Sequence, residues 1–207
     1  PGMGFLWAAE DTLLAMPPFL GGGEMIQEVF LDHSTWAELP HKFEAGTPAI
    51  GEAIGMGAAI TYLKTIGLDA IQAWEAELTT HLFRRLQAID GLRILGPTPE
   101  QQPDRGALAT FVVEGVHAND IAAMLDLAGV CIRSGHHCCQ PLHRLYGVTG
   151  SARASLSFCT THAEIDRFAD GRGGVMGFFR ENSSRFPQWV EAELRPQHCV
   201  DRSTPSG

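Results

Sequence analysis

Arg133-Ser134-Gly135-His136-His137-Cys138-Cys139-Gln140-Pro141-Leu142-His143 sets adjacent thiols among imidazoles, in a Gly-containing stretch that opens on an arginine. A thiol attacks only as thiolate, and cationic or hydrogen-bonding neighbours such as Arg133, His136 and His137 favour that form. Cys138 is therefore a candidate nucleophile. A metal site is the first rival, but cysteines that share one ion normally stand two to four residues apart, and Cys138 and Cys139 are adjacent. A third reading has the thiols filling small buried volumes, as free cysteines often do.

The flanking sequence places this stretch in a fold. Val130 to Arg133 and Arg153 to Phe158 read as strands, with the Cys138 loop strung between them. If the two strands are antiparallel neighbours, Arg133 and Arg153 stand at the same sheet edge and their guanidiniums flank the loop. Upstream, Leu92 to Leu95 and Ala107 to Val113 read as two more strands, separated by the Pro-rich turn Gly96 to Gly106. Asn119 to Leu127 reads as a helix capped from His117 to Asn119, and helix is expected to resume at His162. Ile71, Trp74, Leu78, Leu82, Leu86 and Ile89 recur at spacings of three and four, so Leu68 to Ile89 is expected to be amphipathic helix, ended by Asp90-Gly91. The small residues between Ile50 and Ile66 suggest a closely packed helix, in spite of a cost of about 1 kcal/mol for each interior glycine. The Gly- and Pro-punctuated region before residue 49 reads as loops and short strands. The elements amount to an α/β chain whose later part is an α+β-like small domain.

Composition narrows the functional classes. With 44% hydrophobic residues the 207-residue chain can build a core, and its formal charge of −9 argues against general nucleic-acid binding, which needs a basic face. No apolar run approaches the roughly 20 residues that span a bilayer, so no membrane role is expected. The start lacks a basic region before an apolar run, so no secretory signal is expected there. Five cysteines, at positions 131, 138, 139, 159 and 199, show no paired spacing, which suits a reducing compartment. Cys131 and Cys159 sit in or beside apolar strand patterns and read as core residues.

Four separated motifs resemble one family in its own order: Pro17-Pro18-Phe19-Leu20-Gly21-Gly22-Gly23-Glu24-Met25-Ile26, Phe43-Glu44-Ala45-Gly46-Thr47-Pro48, the Cys138 loop itself, and Ser151-Ala152-Arg153-Ala154-Ser155-Leu156. The pattern, from about Pro1 to Ala169, is similar to the group II cysteine desulfurases and selenocysteine lyases of aminotransferase class V, and most to the cyanobacterial and plastid SufS type. That resemblance implies the PLP-dependent transferase fold type I, with residues 1–48 as the end of the large domain and an interface loop. Residues 49–180 would form the C-terminal small domain with its mobile cysteine loop, and residues 181–207 a disordered tail. It implies pyridoxal 5'-phosphate as cofactor, L-cysteine or L-selenocysteine as substrate, alanine as product, and a persulfide on Cys138. Arg153 matches the arginine that holds the substrate carboxylate and Arg133 another arginine near the substrate. Gly46 and Thr47 match a loop that reaches the cofactor phosphate across a homodimer.

The resemblance further implies a SufE-like sulfur acceptor, a role in iron-sulfur cluster assembly, and a cytoplasmic or plastid-stromal location. The family holds its cofactor through a lysine, and the two lysines here, Lys42 and Lys64, match neither that position nor its motif. The chain is thus expected to be the C-terminal part of a longer enzyme. The competing expectation is a non-catalytic desulfurase-like module that binds a partner, or one that relays sulfur through Cys138. No catalytic role is assigned to His136, His137 or His143, and Cys139 replaces the small or polar residue expected after the reactive cysteine.

Overall fold

The computed structural model describes residues 2–170, so the reading of residues 181–207 as a tail lies outside the described residues. Contacts divide the chain into two units, one ending at Leu68 and one beginning at Asp69. The sequence reading set its first boundary after residue 48.

The first unit carries a short helix α1 (Glu10–Ala15), a two-stranded antiparallel ribbon of β1 (Ile26–Val29) and β2 (Ser34–Trp36), a single 3-10 turn at His41–Phe43, and helix α2 (Ile50–Ile66). Lys42 ties this unit together, since its Nζ donates to the carbonyls of Leu13 at 3.1 Å and Leu14 at 2.9 Å. The helix over Ile50–Ile66 forms as expected, but its close packing does not: no residue of α2 is buried. Small residues make a close approach possible without supplying the surface that makes it.

The second unit opens with α3 (Leu68–Gln87), whose first residue closes the preceding unit, and continues through β3 (Leu92–Leu95), β4 (Leu108–Val113), α4 (Ala118–Leu127), β5 (Arg133–Gly135), α5 (Gln140–Leu145), β6 (Ser151–Ser155) and α6 (His162–Asp170). The strands form one sheet in the order β3-β4-β6-β5, antiparallel throughout. Alternation along β4 decides the layers. Ala109, Phe111 and Val113 are buried among Leu78, Leu82, Phe83 and Leu86 of α3, Ile121 and Leu125 of α4, and Ile165 and Phe168 of α6. Each large side chain taken from water there contributes about 1.5–3 kcal/mol, so the helices are held to this face mainly by apolar burial. The opposite face carries Thr110, Arg153 and Arg133 in one cross-strand row.

Three sequence expectations need correction. Strand pairing begins at Arg133, not Val130, because its partners on β6 run only from Ser151 to Arg153; Val130 and Ile132 still pack on the core, so their apolar character reports burial without a ladder. The last strand is Ser151–Ser155, not Arg153 to Phe158, since its partner β4 starts at Leu108. Cys131 and Cys159 are exposed, not core: Cys131 lies between the core-packed Val130 and Ile132 with its Sγ 3.8 Å from Asp126 Oδ1, and Cys159 sits in the turn beyond β6 beside Ser157 Oγ.

Helix α6 opens on a reciprocal cap. Glu164 accepts from the Thr161 amide at 2.8 Å and from its hydroxyl, while the Glu164 amide donates to Thr161 Oγ1. The Thr161 amide and, next, its hydroxyl hold the Glu164 carboxyl below the usual carboxylate range. A depressed pKa means the folded state binds fewer protons, so this contribution is present above the unfolded value, about pH 4.3, and is lost as pH falls through the folded one. Comparing urea midpoints of the parent and Glu164→Gln between roughly pH 6 and pH 3 should show the parent's advantage shrinking with acid.

Candidate active site

The row of arginines on the open sheet face leads directly to the cysteine loop. Arg133 and Arg153 are Cα partners across β5 and β6, so two guanidiniums issue from adjacent points on one face. Opposed like charges repel. Arg153 Nε is buried and has no hydrogen-bond partner among the described residues. Both features are satisfied by an anion, and a carboxylate fits the fork of a guanidinium.

The chain leaves β5 through Gly135 at φ +107°, then runs through His137 at φ +51° and Cys138 at φ +61°. Two consecutive non-glycine residues in the left-handed region are strained, by about 1–3 kcal/mol each. The turn holds the Cys138 thiol exposed, with its Sγ 3.9 Å from Arg133 Nη2. That contact sets a guanidinium beside the thiol. Arg133, Ser134, His136, His137, Cys138 and Gln140 line an open recess at this point.

The imidazoles divide their tasks. His137 Nε2 lies 3.0 Å from the Ser151 carbonyl, which can only accept, so Nε2 carries the proton and the buried Nδ1 is left without a partner among the described residues. Burial holds the His137 pKa below the ordinary imidazole range; the Ser151 contact pulls it the other way, and the charges of Arg153, His143 and Arg133 lower it further. His143, 4% exposed, is the buried hub: Nε2 is 2.8 Å from Ser151 Oγ and Nδ1 is 3.1 Å from the Cys139 carbonyl. His136 is exposed at the rim, with its ring edge-on to His143 at 5.9 Å.

The sequence reading missed two contributors. Residues after Cys139 form helix α5, with Pro141 in its first turn, where the missing amide hydrogen costs nothing. Ser151, fully buried, receives contacts from both His137 and His143. A buried serine carries no signal in sequence; Pro141 one residue into a short helix was a signal available for α5.

Gly46 and Thr47 lie in the first unit and Cys138, Arg133 and Arg153 in the second. Gly46 takes φ +83° and its amide donates to the Gly23 carbonyl at 2.9 Å, so it shapes the turn. Thr47 is exposed and offers the hydroxyl an anionic group would use. Toward a phosphate-bearing group Thr47 offers one exposed hydroxyl, on a turn set by Gly46. Both lysines lie in the first unit, Lys42 engaged by two carbonyls and Lys64 on α2. Among the described residues no group of three or more His, Cys, Asp and Glu side chains is arranged to hold a metal ion, and no single helix is long and apolar enough to cross a membrane.

Residues 1–168 match the family model described as Aminotransferase class-V. The chain belongs to this family. Within class V it is 56% identical over 181 residues to a probable cysteine desulfurase of Synechocystis sp., covering 87% of this chain and 43% of that protein. It is 44% identical over 169 residues to the cysteine desulfurase of Haloferax volcanii, covering 82% of this chain and 39% of that one. The structure is similar to the crystal structure of the cysteine desulfurase CsdA from Escherichia coli, with a TM-score of 0.71 and 34% identity over 79% of this chain and 40% of that chain. The class-V chain thus spans 43% of the length of its Synechocystis relative. The fold expected from the sequence, that of the PLP-dependent class-V enzymes, is the fold found.

Proposed function

We propose that this chain is the C-terminal part of a SufS-type cysteine desulfurase, in which Cys138 takes sulfur from L-cysteine, or selenium from L-selenocysteine, and alanine is released. The observation that carries the reading is the arginine pair opposed across β5 and β6, one member of which also approaches the strained, exposed Cys138 thiol. Arg153 and Arg133 bind and orient the substrate carboxylate. Beside the Arg133 guanidinium, Cys138 attacks the substrate sulfur as thiolate and keeps it as a persulfide. Gly46 and Thr47 serve the phosphate of pyridoxal 5'-phosphate held by a second subunit of a homodimer. When bound, that cofactor supplies the electron sink for cleavage of the carbon-sulfur bond. The lysine that holds it belongs to the part of the enzyme absent from this chain. Sulfur then passes to a SufE-like acceptor for iron-sulfur assembly, in the cytoplasm or a plastid stroma.

A second reading, a non-catalytic sulfur-relay module, draws support from the two lysines, of which Lys42 is bound by backbone carbonyls. One experiment separates the two. The matching C-terminal region of the Synechocystis relative is replaced by this chain, and the hybrid is given pyridoxal phosphate and L-cysteine. Stoichiometric alanine and persulfide support the desulfurase reading. A folded, cofactor-loaded hybrid that makes no alanine, beside an active parent, leaves the relay module.

A further inference from the structure

Cys139 has surroundings that Cys138 lacks. Its half-buried sulfur sits 3.0 Å from the His136 carbonyl and 3.7 Å from His143 Nδ1. His143 is fixed on its other side by the fully buried Ser151, 2.8 Å from Nε2. Nδ1 also faces the Cys139 carbonyl at 3.1 Å, an acceptor only, so Nδ1 carries the ring proton and Ser151 donates to Nε2. The sulfur of Cys139 therefore shares that N–H with the Cys139 carbonyl, as the longer of its two contacts, while its own S–H has the His136 carbonyl to donate to. Cys138, one residue away, has the Arg133 guanidinium and open solvent. One thiol is placed to meet reagents and the other to hold what has been received.

We propose that Cys139 is a second sulfur-carrying thiol, which takes the outer sulfur of the Cys138 persulfide. The inference rests on the reading of Cys138 as the persulfide-forming residue. In the step, the Cys139 thiolate attacks the terminal sulfur. A bond forms between Cys139 Sγ and that sulfur, and the sulfur-sulfur bond at Cys138 breaks. The electron pair stays on Cys138 Sγ, which ends with the proton Cys139 gave up. One persulfide and one thiol become one thiol and one persulfide, with no net oxidation. Attack on the inner sulfur would instead expel hydrosulfide and close a disulfide between adjacent residues, an eight-membered ring around one peptide bond whose planarity resists closure.

The test uses the 207-residue chain and inorganic polysulfide as sulfur donor. After brief exposure, excess donor is removed, thiols and persulfides are alkylated at intervals, and trypsin releases Ser134–Arg144, whose only cysteines are Cys138 and Cys139. Fragment ions between them locate the added sulfur. The result expected is sulfur on Cys138 first and then on Cys139, with roughly tenfold slower labelling of Cys139 in Cys138→Ala. In Cys139→Ser the sulfur should stay on Cys138, and His143→Gln should slow its movement without preventing labelling of Cys138. Sulfur that remains on Cys138 in the parent, as in Cys139→Ser, overturns the inference and leaves the reading of Cys138 intact. A Cys138–Cys139 disulfide with released sulfide also overturns it. Labelling of Cys139 at the parent's rate in Cys138→Ala, with Cys138 itself unlabelled, overturns the reading of Cys138 and the transfer with it.

Discussion

Cys138→Ser in the hybrid enzyme should lower alanine formation from L-cysteine by roughly a thousandfold or more, with little change in folding stability. Serine keeps the shape of the side chain and cannot present a thiolate at neutral pH, so the step that receives sulfur is lost. Because Cys138 is exposed, the substitution removes no core volume and should alter stability by no more than about 0.5 kcal/mol. A companion variant tests the geometry. Cys138 adopts φ +61°, where glycine meets no Cβ penalty, so Cys138→Gly should raise the urea midpoint by the equivalent of about 1 kcal/mol while abolishing turnover. Stability gained together with activity lost marks a residue kept in a costly conformation for its chemistry. Activity within tenfold of the parent in Cys138→Ser would remove Cys138 from the mechanism.

What was legible in the sequence follows the physics of each element. The α3 stripe was legible because a 3.6-residue period records one buried face: Leu78, Leu82 and Leu86 are fully buried, and Trp74 packs against the same core. His117 was legible as a cap because its role is local, its ring accepting from the Asn119 amide at 3.2 Å. Strand limits at β5 and β6 were not, since a ladder ends where its partner ends, and neither partner's length is written in the strand itself. The exposure of Cys131 was missed because the apolar run hid an alternation that became visible only once Val130 and Ile132 were seen on the core. At the site, the antiparallel pairing that brings Arg133 and Arg153 together could be anticipated from strand order and loop length. The contacts of His143 could not, because they depend on α5 and on Ser151 arriving from different parts of the chain.

Arg153→Leu is the second substitution with a large consequence, and its sign differs between binding and stability. Arg153 Nε is buried without a partner among the described residues, and Arg133 stands opposite it in register. Removing the guanidinium abolishes an unsatisfied donor and a like-charge pair, so the urea midpoint should hold or rise. The same change takes away the fork that grips a carboxylate. Hydrogen bonds to a charged group contribute about 1.5–3 kcal/mol each, so KM for L-cysteine in the hybrid should rise roughly ten- to a hundredfold per bond lost, with a smaller change in kcat. Arg153→Lys should not restore KM, because an ammonium keeps the charge without the planar pair of donors. An unchanged KM in Arg153→Leu would move the carboxylate away from this residue; a fall in stability would mean that the guanidinium already has its partner within the fold. The two measurements together decide whether the paired arginines are an unfilled anion site. A protein that sets two cations face to face on one sheet, and leaves a buried donor between them unanswered, is most stable when something negative binds there.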